Sequence, residues 1–153
     1  MQDKTTKYVH TDHARVPEQV EVMQKIEQDG VCPFCSENLF KYHTEPILFE
    51  GDYWLITKNR WPYTGTRNHF LAISKEHIDN FAALKPEAGK ELVILFQKLH
   101  EEFKINGGGL AMRFGGEGYA SSVTHLHCHL IEPDLDDPQH EGVKFPLSKK
   151  KES

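Results

Sequence analysis

The sequence predicts an α+β protein with a sheet of about five strands, mainly antiparallel, together with one long helix and one or two shorter helices. Three observations predict this class. One stretch repeats apolar residues at helical spacing, several short stretches are apolar or alternating, and turn residues separate them. The chain has 153 residues, which is the length of a single domain.

Two segments have helical signals. Pro17 suits the first position of a helix and Gly30 suits its end, so the first helix is predicted over residues 17–29. The clearest helix is predicted over residues 86–104, where apolar residues recur at intervals of three and four. These residues are Leu92, Leu95, Phe96, Leu99 and Phe103. The stripe predicts a helix that buries one face against the core.

The strands are predicted from short apolar or alternating stretches. In chain order they are residues 47–50, 53–58, 69–74, 110–114 and 125–131. The dipeptide Gly51-Asp52 is a tight-turn signal, so the first two strands are expected to form a hairpin. The third strand is apolar from Phe70 to Ile73 and is expected to be buried, whereas the fourth alternates and exposes one face.

Composition excludes several classes of function. The net charge is −5, so a broad basic surface for a nucleic acid polymer is not expected. No apolar run approaches the ~18 residues of a membrane span, and residues 1–13 lack the apolar core of a secretion signal. These features predict a cytoplasmic protein with no membrane partner. In that compartment the pair Cys32 and Cys35, in Cys-Pro-Phe-Cys, indicates metal binding or redox chemistry.

The last predicted strand carries three histidines, His125, His127 and His129, which alternation places on one face. A single strand histidine is usually a hydrogen-bonded core residue, but three on one face favour chemistry. They are either metal ligands or include a nucleophile that forms a covalent intermediate. The preceding Gly-rich loop, with Ser121 and Ser122, offers N–H groups and hydroxyls for phosphate oxygens, which favours the nucleophile.

Together with two other segments, this strand resembles the histidine triad (HIT) family, whose signature is His-φ-His-φ-His-φ-φ with φ hydrophobic. The run from His125 to Ile131 fits it at every position. Residues 57–62 resemble the family's Asn/Asp-x-x-Pro loop, in the Asn-Arg-x-Pro form of the fragile histidine triad hydrolases. Residues 68–78 resemble its Thr/Gly-His-φ-φ-φ-φ-Pro-Lys-x-His segment.

The resemblance implies one HIT domain with additions at both ends. An N-terminal extension with a helix occupies residues 1–30, the HIT domain residues 31–133, and a C-terminal tail residues 134–153. The family is homodimeric, so a homodimer is implied, although no stretch of the sequence by itself proves an interface.

The resemblance also implies the activity. Family members bind nucleotides and hydrolyse or transfer nucleoside monophosphoryl groups, so a purine nucleotide substrate such as a nucleoside phosphoramidate or dinucleoside polyphosphate is implied. His127 would attack the α-phosphorus, His129 would donate to a phosphate oxygen, and Ser122 would bond the phosphate or leaving group. Asn59 would reach the ribose hydroxyls, and His69 would lie beside the substrate or the triad. No catalytic metal is required.

One branch of the family carries zinc on a Cys-x-x-Cys, a histidine after the third strand and the first triad histidine. The matching residues here are Cys32, Cys35, His77 and His125. Cys₂His₂ is a closed tetrahedral set, which implies one structural zinc per chain. His43 is the substitute if His77 is not a ligand.

Several alternatives stay open. Ser121 stands where many family members have Gln, which leaves the leaving group open, and the acceptor is either water or, as in a phosphorylase, inorganic phosphate. The cysteines could form a redox pair. The protein could instead be a metalloenzyme with a catalytic metal on the three histidines, or a non-catalytic nucleotide-binding or interaction module with a structural zinc.

Overall fold

A computed structural model describes residues 8–9, 16–116, 118–119 and 123–148. Five strands form one antiparallel sheet in the order β1-β2-β3-β5-β4. The strands are β1 (Ile47–Glu50), β2 (Trp54–Lys58), β3 (Thr66–Ser74), β4 (Gly109–Met112) and β5 (His127–Pro133). The helices are α1 (Pro17–Asp29), α2 (Ser36–Tyr42) and α3 (Pro86–Glu102), with a 3₁₀ turn at Phe81–Ala83. The predicted α+β class is confirmed.

Two helices follow their sequence signals. Helix α1 has the predicted bounds, because Pro17 occupies its first turn and Gly30 ends it with a left-handed φ of 66°. Helix α3 ends two residues earlier than predicted. Phe103 is its C-cap, and Lys104 takes a φ of 50°, which is not helical. Helix α2 was not predicted, because its seven residues, of which only Leu39 and Tyr42 are buried, are too few for a helical period.

The last strand begins at His127 and not at the predicted residue 125. The reason is that the backbone of Leu126 is hydrogen-bonded to the end of β3 and to the loop that follows β3. The N–H of Leu126 donates to the carbonyl of Ile78, and the carbonyl of Leu126 accepts from the N–H of Ser74. The first histidine of the triad therefore lies just before the strand, among residues 74–78.

Each face of the sheet is covered differently. Helix α3 packs on one face, where Phe70 and Leu99 are fully buried and each contributes about 1.5–3 kcal/mol through burial. Leu126, Cys128 and Leu130 join this core. On the other face Leu39 from α2 packs on β2 and β3.

Register brings the histidines of β5 to that second face. Strand β3 pairs with β5 so that Leu71 lies opposite His129 and Ile73 opposite His127. Leu71 and Ile73 belong to the apolar cluster under α2. The imidazoles therefore share a face with buried apolar residues, and α3 lies on the other side of the sheet.

The far end of β5 is anchored by a buried carboxylate. Glu132 is 2% exposed and accepts hydrogen bonds from the Asn68 amide at 2.8 Å and from the N–H of Asn106 at 2.7 Å. A buried carboxylate is tolerated only when it is hydrogen-bonded, so these contacts hold the ends of β3 and α3 to β5.

No helix in the described part of the chain is long and apolar enough to cross a bilayer.

Candidate functional site

Four side chains that could hold a metal ion, from three segments of the chain, meet at the start of β5. The ligand atoms of Cys32, Cys35, His77 and His125 all lie within 4.8 Å of one another. The Cys32 Sγ is 3.4 Å from the His125 Nδ1, the Cys35 Sγ is 3.2 Å from the His77 Nδ1, and the two Nδ1 atoms are 3.1 Å apart. Tetrahedral zinc separates S from N by about 3.6 Å and N from N by about 3.3 Å. The donor set therefore fits zinc in number, type and spacing.

The hydrogen bonds of His125 select the nitrogen that faces this cluster. Its Nε2–H donates to the carbonyl of Ser74 at 2.5 Å, so Nδ1 carries the lone pair. Burial lowers the pKa of His125 to about 4, which keeps the ring neutral at pH 7. A neutral imidazole whose second nitrogen donates to a carbonyl is the usual form of a histidine metal ligand.

The surroundings of Cys35 differ from those of a redox-active cysteine. Burial and the adjacent Cys32 thiol raise the pKa of Cys35 to about 12. Redox-active cysteines have a lowered pKa, because the thiolate is the reacting form. His43, the proposed substitute ligand, lies elsewhere, with its Nε2 2.7 Å from the Thr57 hydroxyl.

His127, the next histidine, is oriented by the backbone. Its ring is 7% exposed, and its Nδ1–H donates to the carbonyl of His125 at 2.7 Å. The lone pair is therefore on Nε2. Burial lowers the pKa of His127 to about 4 against the opposing hydrogen bond to the His125 carbonyl, and the charge of Arg113 adds to the lowering, so the ring is neutral at pH 7. The edge of Phe34 meets this ring, with centroids 5.0 Å apart.

The third histidine is oriented by a chain of hydrogen bonds from the loop before β3. The N–H of Tyr63 donates to the His69 Nδ1 at 3.1 Å, which leaves the proton of His69 on Nε2. That Nε2 lies 2.8 Å from the His129 Nδ1, so His69 donates to His129. In this network the proton of His129 is on its Nε2. The Asn59 amide nitrogen lies 3.2 Å from the His69 Nε2.

This arrangement argues against a metal held by all three triad histidines. His125 directs Nδ1 toward the cysteines, His127 uses Nδ1 for a backbone carbonyl, and His129 uses Nδ1 for His69. Within the described residues, the group suited to a metal takes only His125 from the triad. No group of ligands in the described residues therefore includes all three triad histidines.

Four further residues at the site were missed by sequence analysis. Phe34 lies between the cysteines, and the Tyr63 ring stacks on His129 with centroids 5.8 Å apart. Arg113 donates to the Tyr63 hydroxyl at 2.9 Å. The ring of Phe145 packs on the ring of His129, with centroids 5.2 Å apart. Alternation along 110–114 could have placed Arg113 on the triad face, but Phe145 has no local signal.

Ser121 and Ser122, which the sequence assigns to the phosphate and leaving group, lie outside the described residues.

Comparisons with known proteins agree with this geometry. A family model described as "Scavenger mRNA decapping enzyme C-term binding" matches residues 32–143. A HIT family protein from Bacillus anthracis is 24% identical, with 75% of this chain and 81% of that chain covered and a TM-score of 0.55. A Zn-bound histidine triad family protein from Mycobacterium smegmatis is 20% identical, with 75% and 83% covered and a TM-score of 0.52.

A HIT family hydrolase from Clostridium thermocellum is 25% identical, with 69% of this chain and 92% of that chain covered and a TM-score of 0.50. The search of curated proteins found no match. An antiparallel sheet in an α+β fold, with His127 and His129 on its last strand and His125 just before it, together with the family model that matches most of the chain, defines the class. The chain belongs to the histidine triad family.

Proposed function

We propose that this protein is a nucleotidyl hydrolase or transferase. It cleaves at the α-phosphorus of nucleoside phosphoramidates or dinucleoside polyphosphates through a nucleotidyl-histidine on His127. The observation that carries the proposal is the state of His127, a neutral ring whose Nδ1–H is held by a backbone carbonyl. An imidazole in this tautomer offers the Nε2 lone pair as a nucleophile. The 25% identical relative described as a HIT family hydrolase supports it.

The proposed reaction has two displacements at phosphorus. In the first, the Nε2 of His127 forms a bond to the α-phosphorus while the bond to the amine or phosphate leaving group breaks, and a leaving amine takes up a proton from solvent. In the second, water or inorganic phosphate attacks the phosphorus and gives up a proton to solvent while the bond between Nε2 and phosphorus breaks. The Nε2–H of His129 is suited to donate to a phosphate oxygen in both steps, because His69 holds the other nitrogen.

Substrate contacts complete the proposal. Ser121 and Ser122 bond the phosphate or leaving group, and Asn59 contacts the ribose of a purine nucleotide. The contacts of Asn59 and His69 support a place for both beside the triad. We assign the catalytic domain to residues 31–133, which the family model over 32–143 supports. Because zinc-binding cysteines must be reduced, we also propose the cytoplasm as the site of action.

We further propose one structural zinc per chain on Cys32, Cys35, His77 and His125. The fit of the four ligand atoms to a tetrahedron supports this site. When bound, such an ion contributes directly to folding. These residues would tie the Cys-x-x-Cys loop and the loop after β3 to the start of β5.

A homodimer is the proposed assembly. Strand β4 lies at an edge of the sheet, where Leu110 is 63% exposed, and Val93 of α3, which is also exposed, lines the same groove as Leu110. An exposed apolar strand edge of this kind favours pairing with a second copy. Sedimentation should therefore give a dimer that Leu110→Glu converts to monomer. The control is Leu135→Glu, because Leu135 is 76% exposed in the C-terminal tail.

The function is tested by AMP release from adenosine phosphoramidate, with bound zinc counted in every sample. We expect His127→Ala to reduce turnover by about 1,000-fold or more, which corresponds to about 4 kcal/mol of transition-state stabilisation. Zinc should stay at one per chain. The matched control is His100→Gln, a change at an exposed histidine on α3, which should leave turnover unchanged.

A covalent adduct gives the second readout. A rapid quench of the wild type should show a mass increase of one nucleotidyl group, absent in His127→Ala. Equal turnover by the wild type and His127→Ala would contradict nucleophilic catalysis. Saturable AMP binding without turnover or adduct on either class of substrate would favour a binding module.

A further inference from the structure

Arg113 lies on the histidine face of the sheet, beside the triad. Strand β4 pairs with β5 so that Ala111 is opposite His129 and Met112 opposite Cys128. Arg113 follows the last residue of β4, and alternation places its side chain on the same face as Ala111 and His129. Its guanidinium contacts Tyr63 and Phe145, the two rings that pack on His129, so a cation lies beside the triad.

The partners of Arg113 are neutral, unlike those of the other arginines that the structure describes. Arg60 is paired with Glu18, and Arg67 with Asp134 and Asp136. In the described part of the chain Arg113 has no carboxylate within ion-pair distance. Its Nε–H donates to the carbonyl of Pro146 at 2.6 Å, and its Nη2–H donates to the Tyr63 hydroxyl at 2.9 Å.

The carbonyl that occupies Arg113 belongs to residues 143–148, which we call the C-terminal segment. The Arg113 guanidinium lies over the ring of Phe145, with its Cζ 3.8 Å from the ring centroid. The same ring packs on His129 and on Tyr63, with ring centroids 5.2 Å and 5.9 Å apart. Pro146 and Leu147 are exposed. Among the described residues, the bond from Arg113 is the hydrogen bond that ties this segment to the rest of the protein. The segment thus covers His129 and is held there by this hydrogen bond and by the packing of Phe145.

We propose that Arg113 binds a phosphate oxygen of the nucleotide, and that the C-terminal segment occupies this arginine until the substrate displaces the carbonyl of Pro146. The inference rests on the proposed function, because it assumes a nucleotide at the triad. An anionic oxygen is a stronger acceptor for a guanidinium than a neutral carbonyl, so the exchange favours the substrate. In a chain with a net charge of −5, a nearby cation also offsets the repulsion of an anionic substrate.

The test compares AMP with adenosine, by calorimetric titration of the full-length zinc-loaded protein. Because adenosine lacks the phosphate, Arg113→Met should weaken AMP binding about 10- to 100-fold while adenosine affinity stays within about twofold. Arg113→Lys keeps the charge but loses the planar fork and should weaken AMP about fivefold. The matched control is Arg67→Met, which should leave both affinities unchanged.

Phe145→Ala tests the C-terminal segment. It should tighten AMP binding about threefold or more, because the state in which the C-terminal segment occupies Arg113 becomes less stable while Arg113 itself is unchanged. In the Arg113→Met background the same change should give no gain. Thermal unfolding midpoints show whether Arg113→Met is folded. If it folds poorly, Arg113→Lys tests the same contact.

Three results would overturn the proposal. These are AMP affinity within twofold of wild type in Arg113→Met, equal weakening of AMP and adenosine, or weakening of AMP by Phe145→Ala. AMP binding without turnover in the wild type would contradict nucleotidyl transfer but not the role of Arg113. Full turnover with unchanged AMP affinity in Arg113→Met would contradict the role of Arg113 alone. A wild type that binds no AMP would contradict both.

Discussion

His125 and His127 are two residues apart and face the same way, yet the structure gives them opposite surroundings. His125 turns Nδ1 toward two thiols and a second imidazole, at 3.1 to 3.7 Å. His127 donates Nδ1–H to a carbonyl and meets the edge of Phe34. Burial lowers the pKa of both rings to about 4.

The difference lies in which nitrogen is protonated. The Ser74 carbonyl takes the Nε2–H of His125, and the His125 carbonyl takes the Nδ1–H of His127. The first ring therefore offers Nδ1 to a cation, and the second offers Nε2 to an electrophile. A backbone carbonyl, and not the residue type, decides which nitrogen each ring offers.

Among substitutions that test the difference between the two histidines, His125→Ala should have the largest effect on stability. It should abolish zinc binding, and the protein should lose about 4 kcal/mol of unfolding free energy if free zinc exceeds its Kd about 1,000-fold. His127→Ala should instead keep zinc while losing turnover, and its loss of stability should come only from the cavity that the ring leaves. Metal analysis and chemical denaturation check both. Full zinc occupancy in His125→Ala would show that the two rings are not functionally separate.

Removing zinc with a chelator tests whether the metal acts on structure or on catalysis. Zinc removal from the wild type should also reduce turnover, because the carbonyl of His125 positions His127. The loss should follow the loss of structure measured by circular dichroism and should reverse on adding zinc. A catalytic metal would instead give prompt inactivation with the fold intact.

A smaller effect is expected from His69→Phe, which removes the hydrogen bond that orients His129. The kcat should fall up to about 100-fold with little change in KM, because misorientation affects the transition state more than binding. His69→Gln, whose amide can still donate, should recover part of the loss. Zinc content should not change. A rise in KM with kcat intact would instead show that His69 binds the substrate directly.

The smallest effect concerns the opposite end of β5, which a carboxylate anchors. Burial raises the pKa of Glu132, but hydrogen bonds from Asn106 and Asn68 and the charge of Arg67 outweigh it, so its pKa lies below the usual value. Its stabilisation is complete above the unfolded pKa of about 4.3 and is lost as pH falls through the lowered folded pKa.

Glu132→Gln should therefore cost about 1–3 kcal/mol of unfolding free energy at neutral pH. The difference from wild type should shrink below about pH 4. Denaturation at a series of pH values measures this, and acid effects on the zinc ligands cancel because both proteins carry them. A difference that is constant down to pH 3 would contradict the ionised state of Glu132.

The comparison also shows which parts of the site could be predicted. The histidine row and the cysteine pair were visible because they are local patterns, and His77 was found through a family motif. Helix α1 was predicted to its ends because Pro17 and Gly30 are explicit boundary signals. Helix α2 had too few residues for a periodic pattern, and its anchor Leu39 depends on packing against the sheet.

The sequence by itself determined the family, the antiparallel α+β fold, and the residue types available for metal and nucleophile. These follow from spacing within a few residues, which sets strand alternation and helix boundaries. Tertiary structure decided which nitrogen of each histidine is available, because the deciding partners of His125 and His129 are Ser74 and His69, far away in the chain. It also placed Phe145 on the triad, since a contact between distant segments leaves no local pattern.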